Sequence, residues 1–275
     1  MIPISGMGSL LGLQLVDATS DRQSEMIRNS AQHARAIAAF RDRMGDVETV
    51  DQLMEDQDLY VFVMKAFDLE DHIFGKAMIE KILKSDISDS SSLVNRLTDS
   101  RFREMYEVLG FGNGGTTNFN TLWSSWREGM VDRYVQRQLI NSQADQNETV
   151  GVALEFRRKA GEVSSAYDIL KDEDLSTVLR TALGIPKETA QIDIDRQADI
   201  INGKFDLTKL QDPAEVEKLI RKFVIISDAQ NTENLEQNAV VQLMSGAVSA
   251  GSGGQFVPVT IDITAISNTP RVPYR

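Results

Sequence analysis

The sequence predicts an all-α protein: two tandem, diverged copies of a multi-helix unit, then a flexible Gly/Ser linker and a short C-terminal β-strand. Three observations predict it. Apolar residues recur at helical spacing through most of the chain. Residues that start and stop helices punctuate the pattern. A set of residues from the first half returns in the same order in the second.

The recurrence is direct. Phe40-Arg41 with Gly45-Asp46-Val47 returns as Phe156-Arg157 with Gly161-Glu162-Val163. Leu53, Asp56, Asp58 and Leu59 return as Ile169, Asp172, Asp174 and Leu175. Val16-Asp17 with Arg22-Gln23 returns as Val131-Asp132 with Arg137-Gln138. Arg96-Leu97-Thr98-Asp99 returns as Lys209-Leu210-Gln211-Asp212. The matched stretches cover roughly residues 8–111 and 123–226.

Taken in order, residues 1–18 form an apolar N-terminal segment with no charge before Asp17. A secretory signal needs a positive region before its apolar stretch, and none is present. Gly6, Gly8 and Gly12 interrupt the run, so the segment is expected to be a mobile lead-in that docks on a partner through Leu10, Leu11, Leu13 and Leu15. Residues 19–111 form helical repeat 1. Asp56 caps a short helix over 58–67, and Asp99-Ser100 starts a helix that buries Phe102, Met105, Tyr106 and Leu109. Residues 112–122 are a Gly/Thr/Asn linker.

Residues 123–226 form helical repeat 2. Its opening helix, read from Thr121 to Ile140, gathers Trp123, Trp126, Met130, Tyr134 and Val135 on one apolar face. Asp172 caps a helix over 174–183 that stops at Gly184. Pro186 then opens a helix carrying Ile194, Ala198 and Ile201. Asp212-Pro213 with Glu215 reads as a capping box. Residues 227–244 are a C-terminal helix with Leu235, Ala239, Val240 and Leu243 inward. Residues 245–275 are a flexible linker and strand tail. Phe256, Val257, Val259, Ile261 and Ile263 carry a period-two pattern. A lone strand must add to another strand of the chain, add to a partner, or stay loose.

Composition excludes several function classes. A net charge of -12 and a pI near 4.7 repel phosphate backbones and anionic membranes, so neither nucleic acid nor a lipid surface is expected as a partner. The chain has no cysteine, which removes disulfides, thiolate metal sites and cysteine nucleophiles. No uncharged apolar run reaches the ~18 residues of a membrane span.

Candidate chemistry reduces to structural roles. His33 and His72 lack metal-ligand spacing. Gly110, Gly112 and Gly115 match GxGxxG, but they follow a helix instead of a strand, so they read as a helix stop and linker. Counting an EF-hand loop from Asp56 places Val61 and Phe67 where Gly and Glu belong. Trp123 and Trp126 beside Arg127 read as core. No catalytic, cofactor or metal residues are assigned, and the chain is expected to be a non-enzyme.

Several segments resemble one family. Lys65-Ala66-Phe67-Asp68-Leu69-Glu70-Asp71, Lys81-Ile82-Leu83, Asn95-Arg96-Leu97-Thr98-Asp99-Ser100-Arg101-Phe102 and Gly110-Phe111-Gly112 are similar to the bacterial domain-of-unknown-function family 1217. So are Ala182-Leu183-Gly184-Ile185-Pro186, Asp193-Ile194-Asp195-Arg196-Gln197, and Asp212-Pro213 with Glu217-Lys218-Leu219-Ile220-Arg221-Lys222-Phe223. The resemblance implies a helical, duplicated fold. Genes of that family tend to sit among flagellar genes in alphaproteobacteria, which implies a role in the flagellum or its assembly. No activity or ligand residue comes with it.

The expectation is a non-enzymatic structural or assembly component of the bacterial flagellum, needed for motility. It would act through protein partners, with self-association as a further contact. It would sit in the flagellum, the periplasm or the cell exterior, after export without a signal. The alternative is a cytoplasmic helical binding module, an export chaperone or regulator.

Overall fold

The apolar periodicity resolves into helices throughout the computed structural model, which describes residues 1–230. In chain order these are α1 (Ser9–Asn29), α2 (Ala31–Arg43), α3 (Val50–Glu55), α4 (Gln57–Ala66), α5 (Lys76–Leu83), α6 (Leu93–Arg96) and α7 (Ser100–Leu109). Then follow α8 (Ser124–Ala144), α9 (Glu148–Lys159), α10 (Ala166–Lys171), α11 (Glu173–Ala182), α12 (Ile194–Lys204) and α13 (Pro213–Gln230). Short 3-10 turns join several of them. The described residues contain no strand, only an isolated bridge between Gly112 and Thr117. Residues 1–227 group as one unit, and of the second, which begins at Asp228, only the end of α13 is described.

Local chemistry sets the boundaries. Thr49 and Gln52 close a capping box on α3, and Ser165 and Asp168 close one on α10. Asp56 accepts from the Asp58 and Leu59 amides at the start of α4, and Asp172 accepts from the Leu175 amide at the start of α11. Asp99 caps α7, which ends at Gly110 in the left-handed region (φ +68°). The GxGxxG stretch is therefore a helix stop followed by a tight turn.

Other starts differ from expectation. Pro186 begins a 3-10 turn (Lys187–Gln191), and α12 starts later, capped by Asp193. Glu215 does not complete a capping box, because its carboxylate takes Lys218 instead. Helix α8 starts at Ser124, so Trp123 stands at its cap position and not on its apolar face.

Two hydrophobic cores form among the described residues. The first gathers buried side chains from α2 to α7. Its centre is a stack of Phe40 on Phe62 and Phe62 on Tyr134, with ring centroids 4.2 and 4.3 Å apart. The second gathers α9 to α13 around Phe156, Ile169, Leu179 and Ile220.

The long helices cross between the cores. Helix α8 precedes the second group in sequence, yet Met130, Val131, Tyr134, Val135 and Leu139 pack into the first core. Helix α1 precedes the first group, yet Leu13 and Val16, together with Ile4, pack into the second. Only Ile27, at the far end of α1, joins the first core. Ion pairs follow the crossing. Arg41 on α2 holds Glu128 on α8, and Arg157 on α9 holds Asp17 on α1 at 2.6 Å. Arg28 and Asp132 tie α1 to α8.

This changes the reading of residues 1–18. They are not a mobile lead-in: Ile4 is fully buried, and α1 begins at Ser9. The Ile2 amide donates to Gln23 Oε1 at 3.1 Å and the Ile4 amide to Gln146 Oε1 at 2.7 Å. Gln143 donates to the same Gln23 oxygen at 2.9 Å inside the protein. The reason is the crossing itself, since the second core supplies an apolar surface for α1. Helix α13 also runs unbroken through residue 226, so no break separates it from residues 227–230. The expected helix over 232–244, the Gly/Ser linker and the strand lie outside the described residues.

A truncation separates the packed from the exposed side of α1. Leu13→Ala should cost about 2–5 kcal/mol in urea unfolding, as a large-to-small change in a core does. Leu11→Ala, on the exposed side, should stay within about 0.5 kcal/mol.

Candidate functional site

The two cores meet across a network of charged side chains. Arg137 on α8 and Glu155 on α9 are only 7% and 5% exposed, and they pair at 2.7 Å. Glu155 also takes Arg158 at 2.8 Å and Lys159 at 3.1 Å on its own helix. Arg158 reaches Glu104 on α7 at 3.2 Å, and Arg133 on α8 pairs with the same carboxylate. Lys159 continues to Asp172 at 2.6 Å and Asp174 at 3.3 Å, which anchors α9 to the start of α11.

Burial by itself would raise the Glu155 carboxyl. The Arg158 hydrogen bond and the charges of Arg137, Lys159 and Arg158 outweigh it and hold the group well below the usual carboxylate range. Arg158 is raised correspondingly, since the Glu155 contact overcomes its own desolvation.

Asp68 forms the other end of the network. Its carboxylate meets Arg101 at 3.3 Å, Arg137 at 3.6 Å and the Asn141 amide at 3.2 Å. Its backbone is left-handed, with φ +59°. Gly184, which follows α11 as Asp68 follows α4, has φ +61°. Glycine takes that conformation without cost, whereas aspartate keeps it here because three partners bind its side chain.

Beside the network lies a cleft of about 710 Å³ between α6–α7 and the segment from Arg158 to Leu175. Val94, Leu97, Val163 and Leu175 give it apolar lining. Arg101, Glu104, Arg158, Lys159 and Asp172 lie along it already paired. Arg96 from one flank and Lys171 from the other have no ion pair among the described residues. Desolvation and the neighbouring Glu104 push the Glu162 carboxyl up.

A second feature lies between α7 and α8. Phe119, Leu122 and Trp123 are 72%, 58% and 66% exposed. The backbone that carries them is fixed. The buried Thr121 hydroxyl donates to Val47 O at 2.8 Å, and Arg127 donates to Thr121 O at 2.6 Å. Asn118 donates to Leu109 O at 2.9 Å. Trp126 is half-buried against the first core and donates to Val108 O at 3.1 Å. The expectation that Trp123 is core is therefore corrected: it lies before the first turn of α8 and faces solvent.

The partner-binding residues read from sequence do not gather into one site. Leu13 is in the second core, and Leu10 and Leu15 pack against it, while Leu11 is exposed. Phe256, Val257, Val259, Ile261 and Ile263 lie outside the described residues. Sequence reasoning missed the network and the exposed ridge. One signal was present: Glu155 is a lone charge inside Val152-Ala153-Leu154-Glu155-Phe156. His33 shares a 2.8 Å hydrogen bond with the Tyr134 hydroxyl. Burial lowers the histidine and pushes the tyrosine up to about 12.

Residues 66–216 match the sequence profile of a family described as "Protein of unknown function (DUF1217)". The fold is similar to a crystal structure of a protein from Agrobacterium tumefaciens, at 30% sequence identity and a TM-score of 0.72. The likeness covers 84% of this chain and 97% of that one. No curated protein matches the chain.

Removing one partner of the buried pair tests the network. Glu155→Gln leaves Arg137 buried without its carboxylate and should cost about 3–5 kcal/mol in chemical denaturation at pH 7. The Glu155 carboxyl titrates lower in the folded chain than in the unfolded one. Its contribution is thus complete above about pH 4.3 and falls away as the pH drops below that value. The wild-type advantage over Glu155→Gln should accordingly shrink in acid, read as unfolding midpoints from pH 7 to pH 3.

Proposed function

We propose that this chain, which belongs to the DUF1217 family, is a non-enzymatic structural or assembly component that works through protein contacts and serves the bacterial flagellum. The observation that carries the contact role is the ridge of Phe119, Leu122 and Trp123. Exposed aromatic side chains on a mobile loop are ordered only on binding. Here hydrogen bonds from the buried Asn118 and Thr121, and from Arg127, already hold the backbone, so a partner docks on it with little ordering cost. Aromatic anchors on a fixed backbone are what dominate binding energy at protein interfaces. The flagellar setting rests on the family resemblance, and location in the flagellum or outside the cell follows from that setting.

We also propose that the two halves are tandem copies of one unit. Paired roles recur at constant spacing. Arg43 binds Asp56 and Asp58 as Lys159 binds Asp172 and Asp174. Capping boxes recur at Thr49 and Ser165, and left-handed residues at Asp68 and Gly184.

A second reading, a cytoplasmic binding module such as an export chaperone or regulator, is favoured by the cleft between α6–α7 and α9–α11. Location separates the two: presence in purified flagella favours the first, and presence only in the cytoplasm favours the second.

Deleting the gene should reduce swimming, and the wild-type gene should restore it. A Phe119→Ser, Leu122→Ser, Trp123→Ser variant should melt like wild type yet fail to restore swimming. Full motility after deletion overturns the flagellar role, and full rescue by the variant removes the ridge from it.

A further inference from the structure

We propose that the cleft between α6–α7 and the Arg158–Leu175 segment binds an extended acidic peptide of a partner protein, carrying apolar side chains between its carboxylates. The proposal rests on the protein-contact reading above and names the chemistry of one such contact. Charge points to it first. The chain carries 29 basic and 41 acidic residues, yet the cleft lining holds six basic and four acidic side chains, and Arg96 and Lys171 are its basic ones without an ion pair among the described residues. Three of the four acidic residues there are engaged. Glu104 takes Arg133 and Arg158, Asp172 takes Lys159, and Asp168 is bound by Ser164 and Ser165 in its capping box. The remaining carboxyl, Glu162, stands among the charges of Glu104, Arg158 and Arg133.

The shape of the site selects a peptide over a phosphate. Phosphate sites use free backbone amides at helix starts. The starts of α7, α10 and α11 border this cleft, and Asp99, Ser165 and Asp172 close them. The two free cations come from different flanks, Arg96 from α6 and Lys171 from the end of α10. That arrangement suits carboxylates spaced along a chain. Leu97, which is partly exposed, offers an apolar contact between them, while Val94, Val163 and Leu175 are buried in the cores. The volume of about 710 Å³ lies within the range of roughly 300–1,000 Å³ typical of ligand sites. Repulsion from the acidic remainder of the surface is screened beyond about 8 Å at physiological salt.

The test selects random dodecapeptides displayed on phage against the full chain, and against an Arg96→Glu, Lys171→Glu variant. Both side chains are exposed and unpaired among the described residues, so the variant should melt like wild type. Wild type should enrich peptides with acidic residues separated by apolar ones. An enriched peptide, labelled and measured by fluorescence anisotropy, should bind the variant at least tenfold more weakly. The variant should enrich basic peptides instead. The proposal fails if nothing is enriched, if enriched peptides lack acidic residues, or if binding is unchanged in the variant. It also fails if millimolar inorganic phosphate displaces the peptide, since that marks a simple anion site. Each of these failures leaves the ridge and its swimming phenotype standing, so the two readings fall separately.

Discussion

The structure depends on where α1 and α8 bury their apolar stripes. Each is a 21-residue helix, and each serves the core of the other half of the sequence. Without α8, the Phe40–Phe62 stack loses Tyr134 as its third ring. Without the N-terminal segment, the second core loses Ile4, Leu13 and Val16. Neither core is complete from contiguous sequence, so residues 1–227 behave as one unit even though their local structure recurs. Hydrophobic burial drives this arrangement, and the surface ion pairs at Arg41 and Arg157 add only register, because exposed pairs contribute little.

The charged network has a different logic. A buried pair such as Arg137–Glu155 adds little over a well-packed apolar pair, but it tolerates few geometries. Its value is specificity: α8 and α9 meet with the guanidinium and carboxylate opposed, and Arg158 and Lys159 extend that register to α7 and α11. Asp68 shows the same preference for geometry over local ease. It occupies a conformation that glycine takes at the corresponding bend, and its three partners hold it there. The network also fixes the cleft walls, which makes the cleft a preformed feature.

The ridge at Phe119, Leu122 and Trp123 and the cleft lie on segments that the cores do not explain. The ridge exposes apolar surface that folding leaves unused, and the cleft lining carries more basic than acidic side chains in an acidic chain. Both features are held by buried or ionic contacts beneath them. A surface meant only for solubility needs neither property, whereas a surface for protein contact uses both.

By itself the sequence determined the helical class, the helix starts at Asp56, Asp99 and Asp172, the stops at Gly110 and Gly184, and most of the buried faces. These are local properties: a cap, a left-handed residue and a 3.6-residue period are set within a few neighbours. The sequence also showed that α1 has an apolar stripe, but not what it packs on. Leu13 on a partner and Leu13 in the second core have the same sequence pattern. Trp123 misled for a related reason, because it lies one residue before a helix whose period it happens to share. Only the tertiary structure decided which half each long helix completes, that Arg137 meets Glu155, and that Arg96 and Lys171 flank one cleft. Those contacts join residues far apart in the chain, and their energy is not set until the helices have packed.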